Sequence, residues 1–588
     1  MAHDRDLTRL FLRRFVENDL ISPDADRAQV LSQACAAIIT GGLFVSLALS
    51  LPYLSSPYPL PGRTAANMIR VQFLYAAWSM TVMALVAVSM WDALALDSRD
   101  TEILGPLPLA RGVIVRAKVL ALIMVAAVFA AALNVLPALI HPISAVSRLR
   151  LSTLQVATLI AAHITSTTAA ATFGFVGVLA LRELLHALLG TTGFRRISVV
   201  VQAGLVVALV TTLLLIPAMS FKVASLWLLG ALKTNLLPPM WFVGLHDMMS
   251  GQIWAQLPRP ELPLSVAESE RAFEFMYQSH RPLLRQLGLA GGGTFLVVLV
   301  GSAAAYLWNN RRLPDPPFSR AAERGRVGAT FDALARRLVA RRPLVRAGFF
   351  FTTRVVARSV QNRLSIGIPL AVAIAVAAVS LQVAGMSSSW DFSRAPTTLL
   401  AIQLLFVTAL IIGFRHSVRV PADLRARWLF HLIRPAKHSA YMAGVKRAVV
   451  LKLVVPVLLA LLPLHILALG WQTAIVHFTY GLLSALVLGE AFLLGYRRLP
   501  FASSYVPTMD VTTYGGIYAF IGLIAVYTMA WLEHLALSTT TGTVVLFGVT
   551  GTVLAVIRGT DLWQRRERVE AELDELVDPP TLRLGLME

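Results

Sequence analysis

The run VLALIMVAAVFAAALNVLPALI (Val119–Ile140) contains no charged residue. As an α-helix rising about 1.5 Å per residue, it is long enough to cross the roughly 30 Å hydrocarbon core of a bilayer. A segment inside lipid must satisfy its own backbone hydrogen bonds, which favours helices. This stretch therefore predicts a transmembrane helix, and the class of the whole chain depends on how often such runs recur.

Runs of this kind recur along the whole chain. The 588 residues are 56% hydrophobic and 14% charged, whereas soluble domains carry roughly a quarter charged residues. The predicted fold class is all-α, a polytopic membrane protein of about twelve transmembrane helices. The predicted spans are Leu31–Tyr53, Val71–Ala95, Val119–Ile140, Leu154–Leu181, Val199–Met219, Leu287–Trp308, Leu364–Met386, Thr397–Phe414, Val449–Trp471, Phe478–Tyr496, Gly515–Leu532 and Gly542–Ile557.

The basic residues predict how the spans are oriented. With the N-terminus in the cytoplasm, about four-fifths of the 52 Arg and Lys residues fall on the cytoplasmic side, which is the positive-inside pattern. Both termini are then cytoplasmic. The net charge of +20 reflects residues at span ends that meet the anionic headgroups of the lipid bilayer. No nucleic-acid partner is expected, because the aromatic residues lie mainly in the spans rather than among the basic clusters.

The predicted spans divide into two six-helix halves that each begin with an amphipathic basic stretch. Residues 1–312 form the first half with an N-terminal interfacial helix, residues 313–345 a basic cytoplasmic linker, and residues 346–588 the second half with a charged C-terminal tail. The two stretches are LTRLFLRRFVENDL (Leu7–Leu20) and RAGFFFTTRVVARSVQNR (Arg346–Arg363). Their apolar and arginine-bearing faces predict helices in the headgroup layer or, alternatively, ordinary juxtamembrane anchors.

A charged segment follows the second predicted span of each half. Both segments have acidic and basic residues near the start, a proline in the middle and, about ten residues later, a lysine that enters the next span. Docking of a protein partner and a solvated loop are the two interpretations of this pattern. The candidate docking residues are Asp97, Arg99, Asp100, Glu102, Pro108, Arg111 and Lys118 in Leu96–Leu120, and Asp423, Arg425, Arg427, Arg434 and Lys437 in Pro421–Val449.

The first charged segment, ALALDSRDTEILGPLPLARGVIVRAKVL, resembles the loop after the second span of ABC-2-type permeases, the membrane subunits of ATP-binding-cassette exporters. The second-half stretch VPADLRARWLFHLI is similar to the matching region of long, fused twelve-span relatives. The likeness is strongest in the first half. There it rests on Asp97, Arg99 and Asp100, then Leu107–Pro108, then Arg111, then Ala117–Lys118.

This resemblance implies a permease subunit of an exporter in a bacterial-type cytoplasmic (inner) membrane. In that family, such loops hold short coupling helices that dock on a separate ATPase subunit, and a pair of six-span units forms the pathway. The implied partners are two ATPase copies that carry ATP and Mg²⁺. No cofactor is then expected on this chain.

Motifs for chemistry are missing from the sequence. No G-x-x-x-x-G-K-[ST] phosphate loop, H-E-x-x-H zinc helix or G-x-S-x-G elbow occurs. The single cysteine, Cys35, excludes an intrachain disulfide and a cysteine-rich metal site. The sequence therefore predicts a transporter that is not an enzyme and has no metal site. The alternatives are an ion-coupled secondary transporter and a membrane-embedded enzyme.

Polar and ionisable residues inside predicted spans are candidates for function. His163, Thr167 and Thr168 lie in the polar run HITSTTAAATFGF, which predicts either the wall of a cargo path or close helix packing. Glu490 lies near the end of the tenth span. Either a salt bridge to the nearby Arg497 or proton coupling explains it.

One segment between the fifth and sixth predicted spans is rich in aromatic residues. In LLPPMWFVGLHDMMSG (Leu236–Gly251), Trp241 and Phe242 predict an anchor at the outer membrane interface, and His246 follows on the same stretch. The family resemblance implies short re-entrant or interfacial helices at this place.

Overall fold

The computed structural model describes most of the chain, and most of the described backbone is helical. No strand occurs among the described residues, so the predicted all-α class is confirmed. The described residues are 2–16, 27–55, 60–91, 93–94, 104, 106–107, 109–146, 149, 151–256, 261–309, 342–383, 396–420, 438–494, 496, 499–501 and 509–566.

The described helices fall into two compact units. The first unit contains helices α1 to α7 and a short 3₁₀-helix, Leu232–Leu236. In chain order, α1 to α7 are Ala2–Val16, Arg27–Ser55, Pro61–Ser89, Arg111–Val146, Thr153–Leu228, Pro238–Gln256 and Leu264–Asn309.

The second unit contains helices α8 to α15. A π-helical turn, Val450–Val454, joins α11 directly to α12. Residues 313–341 of the predicted linker lie outside the described residues. In chain order, α8 to α15 are Pro343–Arg358, Val360–Val383, Pro396–Arg419, His438–Val449, Val455–Leu469, Trp471–Phe492, Met509–Leu537 and Thr540–Arg566.

Eleven helices of the described residues are long and apolar enough to cross a membrane. They correspond to eleven of the twelve predicted spans, so the multi-pass membrane architecture is confirmed. The exception is the predicted span Leu31–Tyr53. Its helix α2 is long, but the apolar part covers only Ile38–Leu51, because polar residues such as Ser32 and Gln33 interrupt the run before it.

Helix α3 begins at Pro61, well before the predicted start of its span at Val71. Proline suits the first turn of a helix because its missing N–H would have no partner there. Glu270 of α7 supplies partners for the next two N–H groups. Its carboxylate accepts hydrogen bonds from the backbone of Gly62 and, over 3.1 Å, from that of Arg63. The negative charge also suits the positive end of the helix dipole.

Helix α5 contains both the fourth and the fifth predicted spans. The two arms meet at Gly190, whose φ of 62° and ψ of 177° break the helix. Only glycine adopts this conformation readily. Both arms run along α3 in opposite directions, because Arg182 and Ser198 on either side of the break both bind Trp91. The α5 helix is therefore a hairpin rather than a single rod.

Each unit is organised around the helix of its second span. In the first unit, α3 packs against α5, α6 and α7 and is 72% buried over its apolar part. In the second unit, α10 packs against α9, α13 and α14 and is 67% buried. Glycines allow both central helices close crossings. A Cβ at Gly174 of α5 would clash with the backbone of Met80 on α3, and one at Gly413 of α10 with that of Ile366 on α9.

We expect Gly174→Ala to destabilise the first unit by about 1–3 kcal/mol, because the added methyl group overpacks the α3–α5 crossing. Gly177→Ala is the matched control on the same helix. A Cβ there meets nothing within 4 Å, so stability should stay equal or rise by up to about 1 kcal/mol through helix propensity. Thermal unfolding in detergent micelles measures both variants. Equal shifts in the two would contradict the close crossing.

Candidate functional site

Three helices of the first unit meet at a buried polar cluster. Its members are Gln72 and Tyr75 of α3, His141 of α4 and His163 of α5, each at most 2% exposed; they are called the first histidine cluster. The side-chain amide of Gln72 donates from Nε2 to His163 Nδ1 over 3.0 Å. The Tyr75 ring centre lies 4.9 Å from that of His163 and 5.1 Å from that of His141.

The hydrogen bond from Gln72 fixes the protonation of the His163 ring. An amide NH₂ group can only donate, so Nδ1 accepts and carries no proton. In the neutral ring the proton then sits on Nε2, which has no hydrogen-bond partner among the described residues. A buried donor left without a partner costs about 1–3 kcal/mol. His163 therefore places an N–H group without a described partner in the interior of the unit.

Helix α6 brings further polar groups next to the first histidine cluster. His246 and Asp247 of α6 are 3% and 5% exposed. Asp247 accepts a hydrogen bond from the Tyr277 hydroxyl and pairs with Arg281, whose Nε lies 3.5 Å from Oδ2. His246 Nδ1 lies 3.2 Å from the hydroxyl oxygen of Ser250.

Burial shifts the pKa of both α6 residues, and α6 is not one of the eleven spanning helices. Burial lowers the pKa of His246 to about 3, because a low-dielectric site disfavours the imidazolium ion. Burial raises the pKa of Asp247, and this effect is opposed by the hydrogen bond from Tyr277 and the charge of Arg281. His246 is accordingly neutral at pH 7.

Two adjoining cavities reach these groups. The smaller cavity, of about 10 Å³, has room for about one water molecule and is lined by Gln72, His246 and Asp247 among others. The larger cavity, of about 170 Å³, has Glu270 in its wall and shares Tyr277 with the smaller one. Gln72 thus belongs both to the first histidine cluster and to the wall of the smaller cavity.

The three polar residues predicted to line a cargo path in the fourth span lie in two different environments. His163 and Thr167 are fully buried, whereas Thr168 is exposed. The Thr167 hydroxyl donates to the His163 carbonyl oxygen over 2.8 Å, a bond that threonine commonly makes within a helix. Two of the three candidates thus belong to the interior, and Thr168 does not.

The predicted aromatic anchor lies at the start of α6. Phe242 is 2% exposed and packs 5.6 Å from the Phe173 ring, so it contacts protein rather than lipid or water. Trp241 is half-buried and donates from Nε1 to the Asn235 carbonyl oxygen over 3.0 Å. The α6 helix is held tightly against α7, because a Cβ at Gly244 would clash with the α7 backbone.

The second unit has its own buried polar cluster, formed by Gln403 of α10, His465 of α12, His477 of α13 and Glu533 of α14; it is called the second histidine cluster. His477 Nδ1 and Glu533 Oε1 are 2.6 Å apart, and both side chains are 0% exposed. The His465 and His477 rings meet edge to face at 4.7 Å. Gln403 donates from Nε2 to the His477 carbonyl oxygen over 2.7 Å.

The two clusters occupy equivalent places in the two halves. Each has a glutamine on the second span, a histidine late in the third span and a histidine on the fourth span. Sequence reasoning missed the second cluster because of two small boundary errors. The tenth predicted span begins at Phe478, one residue after His477, and the eleventh ends at Leu532, one residue before Glu533. In the structure, α14 continues to Leu537.

Glu490 lies at the end of α13 and is held by basic residues from two other helices. Lys446 of α11 donates to its carboxylate, and Arg558 of α15 lies 3.3 Å from Oε1. Lys446 also lies 3.4 Å from Asp561. Arg497, the basic residue predicted to pair with Glu490, is outside the described residues. Glu490 therefore ties the third, fourth and sixth spans of its half together.

Lys118 is the one predicted docking residue whose side chain the described part of the chain includes, and it is 3% exposed. Its Nζ lies 4.8 Å above the Phe11 ring of α1. Lys118 is thus buried beneath α1, and its docking role stays a prediction. Arg111 begins α4. Outside the described residues lie Asp97, Arg99, Asp100, Glu102, Pro108, Asp423, Arg425, Arg427, Arg434 and Lys437.

No group of three His, Cys, Asp or Glu side chains within the described ranges could hold a metal ion. No protein-family model, no characterised protein and no solved structure matches the chain. The geometry of each unit and the charged segments are the features that bear on function.

Acid should destabilise the first unit through His246. The folded pKa is about 3 and the unfolded value about 6.5, so the stabilising effect of the neutral ring is complete above about pH 6.5 and is lost as the pH falls towards 3. The expected loss is about 2 kcal/mol at about pH 5. Thermal unfolding in detergent at about pH 7 and about pH 5 measures this loss.

His246→Gln is the control for that measurement, because it keeps a polar side chain but removes the titrating ring. Its stability should fall less between the two pH values than that of the unsubstituted protein. Asp247 acts in the opposite direction but is present in both proteins, so the comparison removes its effect. An equal fall in both would assign the acid sensitivity to other groups.

Proposed function

We propose that this chain is the membrane-spanning permease subunit of an ATP-binding-cassette exporter of the ABC-2 type. Separate ATPase subunits would dock on its two charged segments and supply the energy, while the two six-helix halves form the pathway. The proposal is supported by the likeness of Leu96–Leu120 to the loop of that family and by the helix arrangement next to both charged segments.

The observation that carries the proposal is a helix clamp that occurs in both units. The amphipathic helix at the start of each half packs on the helix that follows the charged segment, α1 on α4 and α8 on α11. In the first unit, Leu7 and Phe11 of α1 are buried against Ile114 and Ala117 of α4. The Lys118 ammonium group over the Phe11 ring adds a cation–π contact.

The clamp in the second unit is built by small residues. Gly348 of α8 and Gly444 of α11 each approach the facing backbone so closely that a Cβ would clash. Phe349 is fully buried beside them, while Arg354 and Arg358 are exposed on the opposite side of α8. The arginine face predicted from the sequence is thus turned away from the protein.

Such a clamp would let each charged segment transmit force to the span that follows it. ATP is hydrolysed in water, whereas cargo crosses within the membrane, so force must pass through elements that join the two. A third-span helix fixed to an interfacial helix would move with it as one body instead of bending at its end. Charged residues on the preceding segment would then govern partner choice and encounter rate more than affinity.

The alternative of an ion-coupled secondary transporter depends on Glu490 and His163. Glu490 is bound by Lys446 and Arg558 at a span end, which favours a structural role over proton coupling. His163 remains a candidate because its Nε2 has no partner among the described residues. The second histidine cluster, which contains a buried carboxyl group, is also relevant to the secondary-transporter alternative.

Charge reversal in the first segment tests the docking role. We expect the double variant Asp100→Lys/Glu102→Lys to reduce co-purification of an ATP-binding-cassette ATPase at least tenfold, because like charges would face the partner. The permease itself should keep its thermal stability in detergent. Co-expression of both proteins followed by affinity purification of the permease measures the effect.

The matched control is Glu261→Lys/Glu268→Lys, which reverses two exposed carboxylates, one just before α7 and one near its start, on the side predicted to face away from the ATPase. This variant should retain the ATPase. If the Asp100/Glu102 variant also retains it, the docking proposal is wrong. Uphill cargo movement by the permease alone in liposomes, driven by an ion gradient without nucleotide, would support the secondary transporter instead.

A further inference from the structure

The second histidine cluster contains a carboxyl group and an imidazole that are sealed inside the spanning helices. His477 Nδ1 and Glu533 Oε1 are 2.6 Å apart with both side chains 0% exposed. The remaining polar atom of each group, His477 Nε2 and Glu533 Oε2, has no hydrogen-bond partner among the described residues. The pair therefore shares one hydrogen bond, and its side chains make no other with the described residues.

The shared proton can sit on His477, which gives an ion pair, or on Glu533, which gives a neutral pair. The geometry favours one of these two positions. A buried imidazolium–carboxylate ion pair is favourable only when additional hydrogen bonds satisfy the remaining atoms of both charges. Those bonds are missing at Nε2 and Oε2. A neutral imidazole and a neutral carboxylic acid keep the same short hydrogen bond without placing charge in an apolar site. The neutral form, with the proton on Glu533, is therefore the more stable one.

The surroundings of the pair contain few other titratable groups. His465 of α12 faces the His477 ring, and its Nε2 lies 3.3 Å from the Leu399 carbonyl oxygen of α10. Tyr480 of α13 acts electrostatically on Glu533 and is hydrogen-bonded to Ser484 and, on α15, Thr550. Gln403 is the polar residue that α10 presents to the pair.

The charged residues of the neighbouring helices lie far from the pair. Tyr527 of α14 is directed to Ser380 of α9, with 2.5 Å between the two oxygens, and His534 next to Glu533 is exposed. The other groups lie eight to sixteen residues along their helices from Gln403, His465, His477 or Thr550, which is about 12–24 Å at about 1.5 Å per residue. These are Arg415, His416 and Arg419 on α10, Lys452 on the π turn, Glu490 on α13, and Arg558 and Asp561 on α15.

The first histidine cluster lacks this chemistry. In the equivalent contact, the fourth-span histidine His163 bonds to the amide of Gln72, and an amide side chain does not titrate. Among the described residues, a carboxyl group therefore binds the fourth-span histidine in the second half and not in the first. This asymmetry distinguishes the second cluster from general helix packing, for which the uncharged Gln–His contact of the first half suffices.

We propose that Glu533 and His477 form a proton-binding site within the spans of the second half. In the loaded state, Glu533 is a carboxylic acid whose O–H donates to His477 Nδ1. On release, the O–H bond breaks, its electron pair stays on the carboxylate, and the proton passes to water that reaches the site. The charge of the pair then falls from zero to minus one. A proton needs no cavity, which suits a site with both side chains fully enclosed.

Proton binding at this site goes beyond the proposed permease function and does not depend on it. If the spans move during transport, a change in water access to Glu533 would make the proton occupancy differ between the two states. His477 is a positioning residue in this site, because it holds the acidic proton without being its final acceptor.

Infrared difference spectroscopy of the full chain in liposomes tests the site. The carbonyl stretching band of a protonated carboxyl group should be present in the unsubstituted protein at about pH 7. It should be lost in Glu533→Gln, which keeps the shape and a hydrogen-bonding amide. The band should also disappear reversibly as the pH is raised, and should shift when the buffer is changed to D₂O.

Glu183→Gln is the matched control. Glu183 is a buried carboxylate of the first unit with a bound cation, since Arg182 Nη1 lies 2.6 Å from Oε1, and Asn309 donates to its other oxygen over 2.7 Å. Its substitution should leave the carboxylic acid band unchanged. Loss of the same band in Glu183→Gln would overturn the assignment to Glu533, as would identical spectra of Glu533→Gln and the unsubstituted protein.

Nitrogen-15 spectra of histidine-labelled, unsubstituted protein provide a second measurement in case Glu533→Gln does not fold. The signals of His477 are identified by their absence in His477→Gln. A neutral ring with an accepting Nδ1 at about pH 7 supports the site. An imidazolium signal that persists across the accessible pH range would instead show a permanent ion pair and overturn the proposal.

Discussion

The structure depends on how helices hold together where the solvent is as apolar as they are. Lipid offers no hydrophobic gain for bringing two spans into contact, so association relies on close packing at small residues and on polar contacts between helices. Both are concentrated on the central helix of each unit. Gly174 and Gly413 let backbones meet, and the Trp91 end of α3 receives Arg182, Ser198 and, at Val88, Gln202.

The same constraint explains why the buried polar clusters lie where they do. A polar side chain facing lipid is costly, so the members of both clusters turn towards the centre of their unit, and the second, third and fourth spans all contribute to each cluster. The clusters then diverge in chemistry while keeping their location. One half uses an amide against the fourth-span histidine, and the other adds a carboxyl group from its fifth span.

Much of the fold could be predicted because apolar runs of spanning length have few alternatives as structure. The start of α3 at Pro61 could not be, since it depends on Glu270, a residue distant in sequence that meets the helix only after folding. The α5 hairpin was predicted as two spans, but its break at Gly190 was not located. Burial of Lys118 under α1 was equally hidden, because an amphipathic helix can lie on lipid or on protein with the same pattern.

The candidate site was predicted less completely than the fold. His163 and Thr167 were identified as polar residues inside a span, which is a signal that sequence carries. His477 and Glu533 were missed because each lies directly beside a predicted span boundary, where hydropathy gives the least information. Their importance comes from a contact between two helices, and no spacing in the chain reveals it.

The π turn Val450–Val454 determines which way the end of the third span faces in the second unit. A π turn accommodates one more residue than an α turn, and one residue of an α-helix corresponds to about 100° of rotation around the axis. The extra residue therefore sets the azimuth of all of α12, including the ring of His465 that meets His477. A change in that single turn would rotate α12 about its axis and move His465 towards or away from His477, while α11 stays in place.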